Sequence, residues 1–227
     1  MKGFSVIMPY DGDREKQFKE VFEAYVDWGF PKDVEFILVS RKLDEPPFKH
    51  PKLKLIKYVW EGEFFNPSMA LNIGVKVAKF NNVVITCPEV YPVSNVLKDL
   101  GREVRGNYVC KVFDERKNGD TSTVLVSSVF RCDDPSMYFL SCFKKEDLEE
   151  LNGWDEDFMG GYAWEDSDFG VRFNKAGLGF VCLDYVTGLH LYHPRLSMNV
   201  GWSRNKLLFE KSKERGVFRC VNGLVKE

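Results

Sequence analysis

Runs of unbroken apolar residues, Phe4 to Met8, Val34 to Val39 and Val83 to Thr86, constrain the fold of this chain more than any other feature. A strand wetted on one face alternates apolar and polar residues, whereas a strand covered on both faces does not. Between these runs lie helical patterns. From Arg14 to Trp28 the residues Phe18, Val21, Phe22, Tyr25 and Trp28 recur at steps of three and four, the helix period, and Gly29 and Pro31 end the segment. Leu53 to Val59 adds a further strand beyond Pro46-Pro47. Asn66-Pro67 reads as an N-cap followed by proline at the first helical position, with Met69, Ala70, Ile73, Val77 and Ala78 on the inner face. Another helix is expected over Pro92 to Val104. The order β-α-β-β-α-β-α predicts an α/β fold with a mostly parallel central sheet flanked by helices.

The middle of the chain changes character. Val109 to Phe113, a polar tip at Lys117-Asn118-Gly119-Asp120, and Thr123 to Phe130 predict a small excursion hairpin. A loop at Arg131 to Ser136, a short helix from Lys144 to Leu151, a helix from Trp164 to Ala176, a strand from Phe180 to Leu183 and a charged helix from Trp202 to Lys213 follow. No repeat, low-complexity tract or linker interrupts the sequence, so residues 1–227 are expected to form a single domain.

Lys and Arg total 32 against 34 Asp and Glu, so no basic excess points to nucleic acid. Six cysteines include no CxxC pair. The opening residues are too briefly apolar for a signal peptide, and no stretch reaches the roughly 18 apolar residues of a transmembrane anchor. Reduced thiols and a cytoplasmic location are the expectation.

Ligands of open α/β sheets bind beyond the C-terminal ends of the strands. Pro9-Tyr10-Asp11-Gly12-Asp13-Arg14, Ser40-Arg41-Lys42 and Cys87-Pro88-Glu89 occupy such ends. A further candidate is Trp164-Glu165-Asp166-Ser167-Asp168, where Asp168 and Arg172 have the spacing of an ordinary surface ion pair. Glu165 and Asp166 follow Gly160-Gly161-Tyr162, a flexible approach that a helix cap does not need, and an ionised Asp166 suits a general base. The chain has only three histidines, and His190 and His193 stand together after a strand, a pattern for a metal or phosphate contact. Cys182 could join them only in a zinc site lacking the usual paired cysteines.

Four segments resemble GT-A glycosyltransferases, of the galactosyltransferase and glycosyltransferase family 2 types. They are Phe4 to Tyr10, similar to the opening strand and nucleotide loop; Phe65 to Gly74, similar to the N-R-A-x-x-x-N-x-G helix; Asn152-Gly153-Trp154 through Trp164-Glu165-Asp166-Ser167-Asp168-Phe169 and Arg172; and the late histidine element. The resemblance implies the GT-A (nucleotide-diphospho-sugar transferase) fold, with a nucleotide-binding half at 1–105 and an acceptor-binding half at 106–227. It implies transfer of a hexosyl or N-acetylhexosaminyl group from a nucleotide diphosphate sugar, a UDP-sugar, to a hydroxyl of a carbohydrate, lipid-linked or protein acceptor. By position, Pro9, Tyr10 and Asp13 or Arg14 would line the nucleoside pocket with Ser40 or Arg41, and Asn72 would fix the sugar-nucleotide loop. Asp166 would be the catalytic base, Glu165 a contact to donor or acceptor hydroxyls, and Trp164 a stacking surface beside Gly161 for a sugar. His190 or His193 would complete a metal site.

One departure is plain. Where the family carries Asp-x-Asp for Mn²⁺ or Mg²⁺, this chain reads Cys87-Pro88-Glu89. Glu89 keeps one hard ligand, and Cys87 is a poor one. A catalytically degenerate sugar-binding module is therefore an alternative, and a nucleotidyltransferase a third, although Asp11-Gly12-Asp13-Arg14 is not a triphosphate loop. Inversion rests on Glu165-Asp166 alone, since retaining relatives share the scaffold.

Overall fold

The computed structural model describes residues 3–62, 65–103, 106–127, 139–194 and 201–225. The loop at 131–136, the end of the predicted strand at 128–130, Val104, Cys132 and Arg195 lie outside these residues.

The apolar runs form the strands β1 (Phe4–Tyr10), β2 (Val34–Ser40) and β4 (Asn82–Thr86), with β3 (Leu53–Lys57) at the edge. They pair in parallel in the order β3-β2-β1-β4. Helix α1 (Glu15–Trp28) buries Phe18, Val21, Phe22 and Tyr25 on one side of this sheet. At about 1.5–3 kcal/mol for each large side chain removed from water, that face outweighs the helix's modest intrinsic propensity. Helix α2 (Pro67–Val77) begins as its sequence predicts, with Pro67 at the first turn and the Asn66 side chain accepting from Ser68 N at 3.0 Å.

Unbroken parallel pairing ends with these four strands, and beyond β4 the sheet is mixed. Strand β8 (Leu140–Lys144) runs antiparallel to β4 and to β6 (Asn107–Asp114), and β6 runs parallel to β9 (Phe180–His190). The sequence reading passes over β8, because five residues leading directly into helix α4 (Lys145–Glu150) leave no turn signal between them. The expected hairpin is present: β6 pairs antiparallel with β7 (Thr123–Val126). The helix expected over 92–104 shrinks to α3 (Val96–Leu100), preceded by a strand β5 (Val90–Pro92). Pairing with β9 wins there, since Val93 N and Ser94 N both donate to Thr187 O and continue the ladder past β5. Strand β9 is far longer than the predicted 180–183, and its C-terminal part holds β6 on one side and β5 on the other.

Two further helices complete the described structure. Helix α5 (Glu165–Lys175) follows a short 3-10 helix over Glu156–Gly160, and α6 (Trp202–Arg215) packs against both. Among the described residues no helix is long and apolar enough to cross a membrane. Cys87, Cys110, Cys142 and Cys220 are buried, and Cys182 is half-buried.

Candidate functional site

Topology brings the candidate segments to one edge of the sheet. Strands β1, β2, β3 and β4 are parallel, so Tyr10, Ser40, Lys57 and Thr86 end together. Strand β8 is antiparallel to both β4 and β6, which makes β6 and its parallel partner β9 end at the same edge, at Asp114 and His190. Helix α2 leaves β3 at this edge, so Asn66 at its start lies there too.

The loop after β4 carries Glu89 against β9, with Leu191 N donating to Glu89 O at 2.8 Å. Glu89, His190 and His193 each offer a ligand atom, and the three lie within 4.8 Å of one another. Glu89 Oε1 is 3.8 Å from His190 Nε2 and 3.6 Å from His193 Nε2. On the far side of His190, Nδ1 meets Asp114 Oδ1 at 3.0 Å. A carboxylate on Nδ1 is the arrangement that orients histidine ligands of metals, and it aims Nε2 at Glu89. Phe139 packs edge-on against the same imidazole.

The donor set fits a divalent cation. Glu89 is buried, and its Oε2 has no hydrogen-bond partner among the described residues. Burial pushes the Glu89 carboxyl up, but His190, Arg14 and His193 together hold it below its ordinary value, so it is ionised. Burial, aided by the Arg14 charge, holds His193 below the ordinary histidine range, which favours a neutral imidazole. Cys87 is buried in the hydrophobic core one turn of loop away.

The second cluster surrounds the start of α5. Ala163 and Trp164 both have left-handed backbones, with φ of 63° and 77°. Two consecutive non-glycine residues in that region store strain, of the kind that gathers at functional sites. No side chain caps α5, and Glu165, Asp166 and Asp168 occupy its first turn, where the helix dipole favours carboxylates. Glu165 is buried and accepts from Asn66 Nδ2 at 3.2 Å. Burial first, and the charge of Asp166 second, push the Glu165 carboxyl above the ordinary carboxylate range. Asp166 is half-buried, and its Oδ1 accepts from Ser167 N at 2.7 Å.

Several residues stand elsewhere than the sequence suggests. Asp168 and Arg172 are not a surface pair: both are almost fully buried, 2.7 Å apart. Arg172 also donates to the carbonyls of Leu151, Gly153 and Phe218, which knits three loops together. Trp164 packs against protein, its ring stacked on Phe209 at 5.1 Å and meeting Trp202 at 5.4 Å. The Gly160-Gly161 segment is close-packed: a side chain at Gly161 would lie 2.6 Å from Gly201 O. Asn72 is wholly buried, bonding Trp154 N and O and Glu156 Oε1. It therefore holds the Gly153-Trp154 loop from beneath.

At the β1 and β2 ends, Pro9 and Tyr10 are buried, and Ser40 Oγ is spent on the amides of Lys42 and Leu43. Arg41 grips Asp11 at 2.8 Å and Gly62 O at 2.6 Å. Asp13 is exposed beside Lys42, whereas Arg14 turns into the metal-type cluster, 3.3 Å from Glu89. Asp114 escapes sequence reasoning, because a single strand-end polar residue carries no spacing signal, and the reach of the Asn66 cap to Glu165 is equally invisible there.

Comparisons with known proteins agree with this architecture. Residues 122–194 match the family described as the N-terminal domain of galactosyltransferase. No curated protein sequence matches the chain. Among solved structures, a mannosyltransferase from Pyrobaculum calidifontis in complex with GDP-Man and Mn²⁺ superposes with a TM-score of 0.60 at 18% identity, over 92% of this chain and 62% of that one. The catalytic domain of Drosophila beta1,4-galactosyltransferase 7, in complex with xylobiose, gives 0.59 at 14% identity, over 95% of this chain and 82% of that one. The chain thus spans less than two thirds of the mannosyltransferase's length. The protein has the GT-A fold of glycosyltransferases.

Proposed function

We propose that the protein is a metal-assisted glycosyltransferase that moves a sugar from a nucleotide diphosphate donor to an acceptor hydroxyl. The observation that carries this reading is the Glu89, His190 and His193 cluster, with Asp114 behind it, at the same sheet edge as the acidic start of α5. A divalent cation bound there, Mn²⁺ as in the mannosyltransferase complex or Mg²⁺, would supply charge neutralisation for a leaving diphosphate, the kind of electrostatic term that dominates such reactions. Glu89, His190 and His193 would hold it.

The chain's own residues divide the remaining work. Asp166, half-exposed at the start of α5, takes the proton of the acceptor hydroxyl. Glu165, kept protonated by burial, is the neutral partner that contacts a sugar hydroxyl. The raised Glu165 carboxyl beside a half-exposed Asp166 is what divided acid–base roles call for. Pro9, Tyr10 and Arg41 shape the wall of the nucleoside pocket, with Asp13 on its rim and Arg14 toward the diphosphate. Ser40 and Asn72 support that wall and the loop beneath it. A UDP-sugar of hexosyl or N-acetylhexosaminyl type, an inverting course and a carbohydrate, lipid-linked or protein acceptor complete the reading.

The test is release of nucleoside diphosphate from UDP- and GDP-sugars with Mn²⁺, with and without sugar acceptors. Turnover with one donor supports the reading. Tight donor binding without turnover would turn the protein into a binding module, and neither binding nor turnover sinks the proposal.

A further inference from the structure

The position of Arg14 goes beyond a diphosphate contact. Its Nη1 lies 3.3 Å from Glu89 Oε1, and its Nη2 lies 3.2 Å from His193 Nδ1. We infer that Arg14 is a resident cation of the Glu89–His190–His193 cluster, displaced when a divalent ion enters, and that its departure changes which nitrogen of His193 carries the proton. The inference rests on the reading of this cluster as a metal site.

Two observations carry it. The first is charge. The guanidinium is permanently positive, and it already occupies the Glu89 oxygen that the two histidines face. A divalent ion on the same oxygen would meet it as a like charge. Arg14 can yield, since its side chain is partly exposed and makes no capping bond to α1, whose first turn is held by the Arg14 backbone carbonyl.

The second is hydrogen-bond valence. His193 Nδ1 lies 3.2 Å from Arg14 Nη2 and 3.0 Å from the Pro194 carbonyl oxygen. A neutral imidazole has one N–H, so Nδ1 can accept from Arg14 or donate to Pro194, never both. When Arg14 donates, the proton sits on Nε2, the nitrogen that faces Glu89, and that nitrogen cannot ligate. When Arg14 leaves, Nδ1–H donates to Pro194 O and the Nε2 lone pair turns to the cluster. His190 has no such choice, because Asp114 claims its Nδ1. One histidine is thus preset and the other conditional. A donor diphosphate gives the displaced guanidinium a new anionic partner, so the metal and the nucleotide bind cooperatively.

The experiment is calorimetry of Mn²⁺ binding to the whole protein and to Arg14→Met, without nucleotide. The variant is expected to bind Mn²⁺ about tenfold more tightly, roughly 1.4 kcal/mol. With UDP present the gap closes, because the variant lacks the diphosphate contact. Equal or weaker Mn²⁺ binding by a variant that still melts cooperatively overturns the role of Arg14 and leaves the metal site standing. No Mn²⁺ binding by either protein overturns both readings. Nitrogen-15 histidine spectra of the metal-free wild type need no variant: an Nε2–H tautomer at His193 is expected, and an Nδ1–H tautomer overturns the inference.

Discussion

Asn66 holds two helices by their first turns with one side chain: Oδ1 accepts from Ser68 N at the start of α2, and Nδ2 donates to Glu165 Oε2 at the start of α5. The two ends are 99 residues apart in sequence, and this contact sets the acidic turn against the sheet edge. Asn66→Ala loses both bonds and should cost about 1–2 kcal/mol in denaturant unfolding. Asn66→Ser keeps a capping oxygen but is too short to reach Glu165, and should fall between. If Ser and Asn prove equally stable, the bond to Glu165 is idle.

Asp114 aims His190, so its removal should weaken metal binding without touching the metal. Asp114→Asn is expected to lower Mn²⁺ affinity by roughly 10- to 100-fold, the usual cost of losing such a partner. Calorimetry in the presence of UDP measures it. Unchanged affinity would mean that Phe139 and the β9 backbone orient the imidazole unaided.

The acid–base assignment separates Asp166 from Glu165. Asp166→Asn keeps the shape but cannot take a proton, and the transfer rate should fall by about 10² to 10⁴ with nucleotide binding preserved. Wild-type turnover by this variant would remove Asp166 from the mechanism.

Glu165 should announce itself in the pH dependence of stability. Its carboxyl is raised in the folded state, so the native protein binds more protons than the unfolded chain between the two pKa values. The resulting stability is complete below the unfolded glutamate value of about 4.3 and is lost as pH rises through the raised folded value. Glu165→Gln carries no titrating proton, so its melting temperature should fall less steeply over roughly pH 5 to 9 than that of the wild type. Parallel curves would show that the carboxyl titrates normally.

The buried Asp168–Arg172 pair predicts a structural phenotype. Arg172→Met strands a buried carboxylate and three carbonyls, and should destabilise by about 3–5 kcal/mol in chemical denaturation. A surface pair would cost less than about 1 kcal/mol.

Much of the first half could be read from sequence because its information is local. Unbroken apolar runs mark β1, β2 and β4, and Asn66-Pro67 marks the first turn of α2. The second half turns on contacts that no window contains. The i,i+4 spacing of Asp168 and Arg172 is the same on a wet face and in a core, and only the loops closing over Arg172 decide between them. Trp164 reads as a ring for a sugar, and nothing local foretells that α6 brings Phe209 against it. Asp114 is one strand-end carboxylate among 34 acidic residues, and it acquires meaning only when β9 lies beside β6. His190 and His193 were visible because histidine is scarce in this chain and the two stand close together.

The join between β6 and β9 has a consequence for how this site can vary. Pairing steps from Cys110 opposite Leu183 to Lys111 opposite Thr187, so Asp184, Tyr185 and Val186 are looped out of the ladder. Beyond that step the register is regular, and Asp114 meets His190. The irregularity therefore works as an expansion joint at its exposed residues, Asp184 and Tyr185, where a change of length leaves the histidine in place, whereas Val186 is packed in the core. One residue inserted between Thr187 and His190 has no such slack and would turn the imidazole to the opposite face of the sheet. A change of length can be absorbed on one side of Thr187, while the three residues after it must keep their count.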